Sequence, residues 1–292
     1  MAWMALHRIR RTETTLLLAG EMMEKTLVYV SGGQDGLYCL YKTLTDTNDS
    51  VLAINLQEIN NYTKEKTASD LEHCIKNIEW LKNNVRDFEF KNRPELTFKW
   101  YRRIPFKERD WSELDLHVKN LIINASEFIE HRLPEAHRSH ILYHVEKEIT
   151  YLETAKLENV DKIVYGLTYL QKQNSRFNLV VNDIRKYYGY TYSEPIVEEK
   201  LGRFMVYTRL PEQVRLNLFP CEDTISKNCG ECEKCITRII YNNFIKTGIT
   251  TAEEIDRSTA YYIQTHPEYT LTSVEKLTKK YLYDRFIYKK TI

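Results

Sequence analysis

The feature that most constrains this chain is a short apolar run that ends at a glycine-rich turn. Residues 26–30 (TLVYV) are apolar and mostly β-branched, and Ser31-Gly32-Gly33-Gln34-Asp35-Gly36 follows them directly. Apolar residues at helical spacing begin straight after the turn, at Leu37, Leu40 and Tyr41. A buried parallel strand is a continuous apolar run, and glycines allow the backbone to turn sharply. The sequence therefore predicts a strand–turn–helix unit of an α/β protein.

The chain downstream alternates between the same two patterns. Further strands are predicted at Val51–Leu56 and Leu96–Tyr101, and another buried strand is predicted at Lys162–Tyr165, which ends at Gly166. Amphipathic helices are predicted from Ser69 or Asp70 to Leu81, from Leu114 to Phe128, and from Ile141 to Leu152. Strands that alternate with helices favour a parallel sheet. Residues 177–219 have a mixed pattern without an assignment, and residues 236–292 have a helical pattern.

Charge and hydropathy give no reason to expect a generic nucleic-acid surface or a membrane-spanning segment. The 292 residues carry a formal net charge of +1, which predicts no generic nucleic-acid surface. The apolar stretches are only a few residues long, too short to cross a membrane. We interpret residues 1–22 as a tail or an overextended start, residues 23–220 as the main α/β domain, and residues 221–292 as a helical, metal-binding region.

The turn after the first strand has the chemistry of an anion site. Amides of such a loop and of the following helix N-terminus face a bound phosphate, and Asp35 would bind the Mg²⁺ that accompanies a nucleotide. A tight strand-to-helix turn that needs two glycines for steric reasons is the plain alternative. The turn is neither a Walker A loop nor a GxGxxG turn.

Four of the six cysteines fall in one short segment, Cys221, Cys229, Cys232 and Cys235. Such clustering favours a metal site in a reducing compartment over a disulfide framework, so we expect a cytoplasmic protein. Four thiolates at this spacing can close a tetrahedral zinc shell, which predicts a structural Zn²⁺. An iron–sulfur cluster is the competing interpretation.

Both motifs resemble those of one family. The turn resembles the SGGxDS/T signature of the PP-loop ATP pyrophosphatases (adenine nucleotide alpha hydrolase-like fold). The segment CGECEKCITRIIYNNFIKTG resembles the CGxCxxCxxRxxxFxxAG tail of the 7-cyano-7-deazaguanine synthases (QueC), through Arg238, Phe244 and Gly248. The resemblance implies a Rossmann-like domain, ATP and Mg²⁺, structural zinc, and a homodimer. It also implies adenylation of 7-carboxy-7-deazaguanine and its conversion with ammonia to the nitrile preQ0, a step of queuosine or DNA modification.

The family's functional residues transfer best to the turn. Ser31 and Asp35 correspond to the catalytic positions, and Ser31 to Gly36 together with Gly166 correspond to the nucleotide-binding ones. The hydroxyl residue that ends the signature is Gly36 here. Arg138 and Arg176 are the candidates for contact with substrate, although the segments around them match the family poorly, and the acidic residue expected to recognise the deazaguanine ring is missing or displaced.

The altered substrate region leaves other functions open. One is a divergent enzyme of the same family with another acceptor, a protein or DNA, as in phage or phage-defence systems. A second is a degenerate nucleotide-binding module without turnover. A tRNA-thiolating PP-loop enzyme would need a reactive cysteine near the turn, and Cys39 inside the first helix is a poor candidate. His137, His140 and His144 have helical spacing but complete no recognised metal motif, which favours a polar helix face.

Overall fold

The computed structural model describes residues 23–56, 64–93, 116–120, 123, 135–166, 175–199, 201, 203–218, 238, 241–242, 245–246 and 248. Residues 1–22, the predicted strand at 96–101 and the cysteine segment lie outside this part of the chain. Most of the helical pattern at 236–292 does so too.

Five strands form one parallel sheet in the order β3-β2-β1-β4-β5. Leu27 in the central strand is paired with Leu52 on one side and with Ile163 on the other. The predicted parallel α/β architecture is confirmed, and it is of the Rossmann-like kind. The strands are β1 (Lys25–Tyr29), β2 (Ser50–Asn55), β3 (Glu89–Asn92), β4 (Lys162–Val164) and β5 (Thr191–Ser193).

Helices connect the strands. The long ones are α1 (Gln34–Asp46), α2 (Lys64–Asn84), α3 (Glu135–Leu157) and α4 (Ser175–Tyr188). Three short helices follow β5: α5 (Pro195–Glu198), α6 (Arg203–Arg209) and α7 (Glu212–Leu216). Residues 116–120 are also helical.

Alternate residues of the central strand face two separate hydrophobic layers, as the period of two in a strand requires. Val28 and Val30 pack against apolar residues of α1, α2 and the short C-terminal helices. Leu27 and Tyr29 pack in a second cluster, which includes residues of α3 and α4. The sheet is therefore covered on both faces, and this explains why β1 is apolar throughout.

One predicted boundary was wrong, and one strand was missed. Helix α2 begins at Lys64, so Ser69 and Asp70 lie inside it and do not cap it. The segment that precedes them is rich in lysine, glutamate and alanine, and such residues favour continued helix. The strand β3 was missed because Glu89–Asn92 is short and polar, which suits a strand paired only with β2 in the described part of the chain.

None of the helices in the described residues combines the length and the apolar character that a bilayer crossing requires.

Candidate functional site: the turn between β1 and α1

The predicted anion-binding turn lies at the centre of the carboxyl edge of the sheet. It connects β1 to α1, and β1 is flanked by β2 on one side and β4 on the other. The chain passes from β1 to β2 over one face and from β4 to β5 over the other. Parallel α/β sheets bind their ligands in the crevice at such a reversal of strand order. The fold thus puts Ser31, Gly32 and Gly33 where a ligand site is expected.

Gly32 is required at its position for two reasons. Its φ of +83° is in the left-handed region that glycine tolerates best. A Cβ there would also lie 3.2 Å from the Cβ of Cys74 in α2 and 3.4 Å from the carbonyl oxygen of Asp70. The turn therefore rests directly on α2, at Asp70 and Cys74.

The residue before the turn is held by β2. The amide of Val30 donates to the carbonyl of Ile54 (2.9 Å), and the carbonyl of Val30 accepts from the Nδ2 of Asn55 (2.7 Å). Asn55 is buried at the carboxyl end of β2. A polar residue inside the apolar run VLAINL was the signal in the sequence that could have identified it.

The first turn of α1 presents backbone donors to the crevice. Gly33 is the N-cap residue and, having no side chain, makes no side-chain capping bond. Its carbonyl accepts a hydrogen bond from the amide of Leu37 (3.2 Å). The first amides of a helix have no partner within it and carry the positive end of its dipole. Ser31 and Gly33 are exposed, so a ligand can approach this end of the helix. Such an arrangement can hold an anion.

Asp35 is half-buried in the same turn of the helix. The Nε2 of Gln34 lies 3.4 Å from its Oδ1, a long hydrogen bond between neighbours. A carboxylate beside a phosphate-binding turn suits a hard cation such as Mg²⁺.

Two glycines allow α1 to press against the sheet. A Cβ on Gly36 would lie 2.7 Å from the carbonyl oxygen of Tyr29, a distance that real Cβ atoms essentially never show. A Cβ on Gly166, which follows β4, would lie 3.2 Å from the carbonyl carbon of Asp35 and 3.2 Å from the amide nitrogen of Gly36. Gly36 lacks the hydroxyl of the signature residue, and in its place α1 packs its backbone closely against β1 and against the segment after β4.

The outer side of α1 is held by a charged cluster. Glu199, just after α5, accepts from Lys42 of α1 (2.5 Å) and from Arg209 of α6. The hydroxyl of Tyr38 also lies 3.3 Å from Glu199. The pKa of Glu199 lies below its usual value, chiefly because of the hydrogen bond from Lys42. The positive charge of Lys42 and the contact with Arg209 lower it further.

Both cysteines in the described core are unreactive by environment. Burial raises the pKa of Cys39 well above its usual value, and the charge of Asp35 raises it further. Burial raises the pKa of Cys74 to about 12, although the amide of Asn55 opposes this shift. A thiolate is the nucleophilic form of cysteine, so neither residue is suited to sulfur transfer at this site.

The described structure does not cover every predicted site residue. Arg138 lies in α3 and Arg176 in α4, but only the backbone is described at both positions. The same holds for His137, His140 and His144. Cys221, Cys229, Cys232 and Cys235 lie outside the described residues, among which no group of three or more His, Cys, Asp or Glu side chains could hold a metal ion.

Sequence reasoning missed a buried ionic network beside the crevice. Glu148 of α3, Arg185 of α4 and Glu194 after β5 are 4%, 7% and 5% exposed. Glu148 lies 37 residues from Arg185 in the sequence, and none of the three residues belongs to a motif. Only the packing of the two helices on the sheet brings them together.

Comparison with known proteins gives no family assignment. No protein-family model matches this chain, and no curated protein matches it.

Proposed function

We propose that this protein is an ATP-dependent carbon–nitrogen ligase of the 7-cyano-7-deazaguanine synthase type. The observation that carries the proposal is the place of the Ser-Gly-Gly turn, at the carboxyl end of β1 where the strand order reverses. The proposed substrates are ATP, ammonia and 7-carboxy-7-deazaguanine or a close relative. The resemblance of both sequence motifs to that family supplies the chemistry.

In this proposal the turn binds the triphosphate of ATP. The amides of Gly32 to Gly36 and the hydroxyl of Ser31 hold phosphate oxygens, and Gly166 borders the turn where it packs against Asp35 and Gly36. Asp35 would hold the Mg²⁺, which neutralises charge on the phosphates. The contribution of these groups is positioning and charge stabilisation.

The reaction follows from that arrangement. A carboxylate oxygen of the substrate attacks the α-phosphate, the bond to the β-phosphate breaks, and pyrophosphate leaves. Ammonia then attacks the acyl carbon, AMP leaves with the bonding electrons, and a proton is lost to give the amide. A second ATP transfers AMP to the amide oxygen, and pyrophosphate leaves; loss of AMP with that oxygen, and of both amide protons, then gives the nitrile. No covalent nucleophile of the protein is needed, in agreement with the burial of Cys39 and Cys74.

We further propose that the four cysteines bind a structural Zn²⁺. Support comes from the residues on either side of them. Arg238, three residues after Cys235, donates to the carbonyls of Leu218 (2.9 Å) and Leu216 (3.0 Å). Leu218 lies three residues before Cys221. The described residues that flank the cysteine segment on its two sides are therefore in contact, which suits a closed metal loop between them. Metal analysis of the purified protein decides between zinc and an iron–sulfur cluster.

Pyrophosphate release tests the enzymatic proposal. Purified, zinc-loaded protein is incubated with ATP, Mg²⁺, ammonium and 7-carboxy-7-deazaguanine, and mass spectra of the base are recorded in parallel. We expect substrate-dependent release with formation of the amide or nitrile. Asp35→Asn, which keeps the shape of the side chain but removes its charge, should bind Mg²⁺-ATP more weakly.

The same assay distinguishes the alternatives. Pyrophosphate release without a modified base would identify an adenylating enzyme with another acceptor, such as a protein. ATP binding without any release would identify a nucleotide-binding module that does not turn over. The second outcome has a specific structural motivation, because Gly36 removes a hydroxyl from the signature and its packing leaves no room to restore it. Size measurement in solution tests the expected homodimer.

A further inference from the structure

The carboxyl edge of the sheet contains a buried charged group that the proposed chemistry does not use. The Nε and Nη2 of Arg185 donate to the two oxygens of Glu148 (2.6 and 3.1 Å), and its Nη1 donates to Glu194 (2.9 Å). The hydroxyl of Tyr165 donates to Glu148 as well (2.7 Å). We call these four residues the Arg185 network. It joins α3, α4, the end of β4 and the end of β5.

The network fixes Tyr165 from several directions. Besides the bond to Glu148, the guanidinium of Arg185 lies 4.1 Å from the centre of the Tyr165 ring. The backbone amide of Tyr165 donates to the carbonyl of Ser193 (2.9 Å), and its carbonyl faces the thiol of Cys39 in α1 (3.6 Å). A side chain held by a hydrogen bond, a cation–π contact and complete burial has little freedom to move.

The next residue, Gly166, touches the proposed phosphate-binding turn. Its Cα is close enough that a Cβ would lie 3.2 Å from backbone atoms of both Asp35 and Gly36. This contact is backbone against backbone, so no flexible side chain absorbs a displacement. A shift of Tyr165 would therefore be passed to the amides at the N-terminus of α1.

We propose that the Arg185 network positions these amides through Tyr165 and Gly166, with Arg185 as the central positioning residue. The inference rests on the proposed function for the nature of the ligand. A planar guanidinium with fixed donors is well suited to hold two carboxylates in one geometry. Without it, the buried Glu148 and Glu194 would lose the cation that binds both of them, and the structure around them would have to move.

Amide hydrogen exchange of the ligand-free protein tests the positioning directly. Arg185→Gln should speed exchange in the peptide that covers residues 31–38 on the order of tenfold, because opening of the first turn of α1 becomes easier. The matched control is Arg86→Gln. Arg86 is a partly buried arginine, less buried than Arg185, and donates to the carbonyls of Thr47 (2.7 Å) and Asp49 (3.1 Å), near the amino end of β2. It should leave exchange in this peptide as in the wild type. Equal exchange in both variants would overturn the inference.

Pyrophosphate binding, measured by calorimetry with Mg²⁺ present, gives the functional readout. We expect Arg185→Gln to weaken binding about tenfold and Arg86→Gln to leave it unchanged, even where both lower the melting temperature. If Arg185→Gln binds pyrophosphate like the wild type, the positioning role is refuted. If the wild type binds neither pyrophosphate nor ATP, the proposed function fails, and the exchange experiment still decides the positioning role.

A milder variant keeps the test decisive if Arg185→Gln does not fold. Tyr165→Phe removes only the hydroxyl bond to Glu148 and retains the ring over Arg185. It should show the same two effects at roughly threefold size. A folded Tyr165→Phe protein with wild-type exchange and binding would also overturn the inference.

Discussion

Replacing Gly36 by alanine is expected to destabilise the protein, although alanine is the better helix former. The added Cβ would lie 2.7 Å from the carbonyl oxygen of Tyr29, about 0.6 Å closer than a carbon–oxygen contact of about 3.3 Å. The obstructing atom belongs to the central strand, which is paired on both sides and cannot easily move. Overpacking of this kind costs about 1–3 kcal/mol, and we take the upper end. The gain in helix propensity offsets about 1 kcal/mol, which leaves a net loss of about 2 kcal/mol.

Thermal and urea denaturation of the ligand-free protein measure this loss. For a chain of this size, about 2 kcal/mol corresponds to a fall in melting temperature of roughly 3 °C. The control is Gly33→Ala, whose Cβ would meet only the Ser31 hydroxyl at 3.5 Å, an ordinary contact. As an N-cap change it should cost no more than about 1 kcal/mol. A Gly36→Ala protein as stable as the wild type, or more stable, would refute the close packing of α1 on β1.

The same close contact predicts the effect of restoring the hydroxyl residue of the SGGxDS/T signature at position 36. Gly36→Ser adds the hydroxyl that PP-loop enzymes usually have, but it meets the same carbonyl and has a lower helix propensity than alanine. We expect it to be at least as destabilising as Gly36→Ala and to bind ATP no more tightly than the wild type. Tighter binding without a loss of stability would show that the turn adjusts.

Three further experiments test other parts of the structure. Cys39 and Cys74 should resist a thiol reagent at about pH 8 until the protein is unfolded, because burial raises the pKa of both; rapid labelling of either one in the native protein, located by peptide mapping, would contradict their burial. Glu199 has a lowered pKa when folded, so its contribution to stability is present above its usual value of 4.5 and is lost as the pH falls through the folded pKa. Glu199→Gln should therefore reduce the free energy of unfolding near neutral pH, and the difference from the wild type should shrink below about pH 4; a difference that does not change with pH would exclude the ionic origin. Arg238→Ala removes a charged donor from two carbonyls at the end of α7 and should cost about 1.5–3 kcal/mol in urea denaturation, whereas a neutral result would mean that these bonds do not hold the segment.

The sequence was sufficient for those elements whose pattern is local. The apolar runs of β1, β2 and β4 predict strands of a parallel sheet, and the glycine turn after β1 predicts that this strand is followed by a helix. It was not sufficient for β3, because a short polar edge strand such as Glu89–Asn92 differs little from a loop. The start of α2 was likewise misplaced, since capping residues such as Asp70 also occur inside helices.

The features of the candidate site likewise fall into those that the sequence determined and those that only the tertiary structure decided. By itself the sequence determined the chemical character of the turn, because glycines, a serine and an aspartate in fixed order after a buried strand can be recognised without knowing what surrounds them. Only the tertiary structure decided why position 36 must be glycine, since the obstructing carbonyl belongs to another element, β1. It alone assembled Glu148, Arg185 and Glu194, because charges on two helices and a strand end become neighbours only when both helices pack on the sheet. Local patterns depend on the order of residues, whereas burial and contact depend on how distant segments come together.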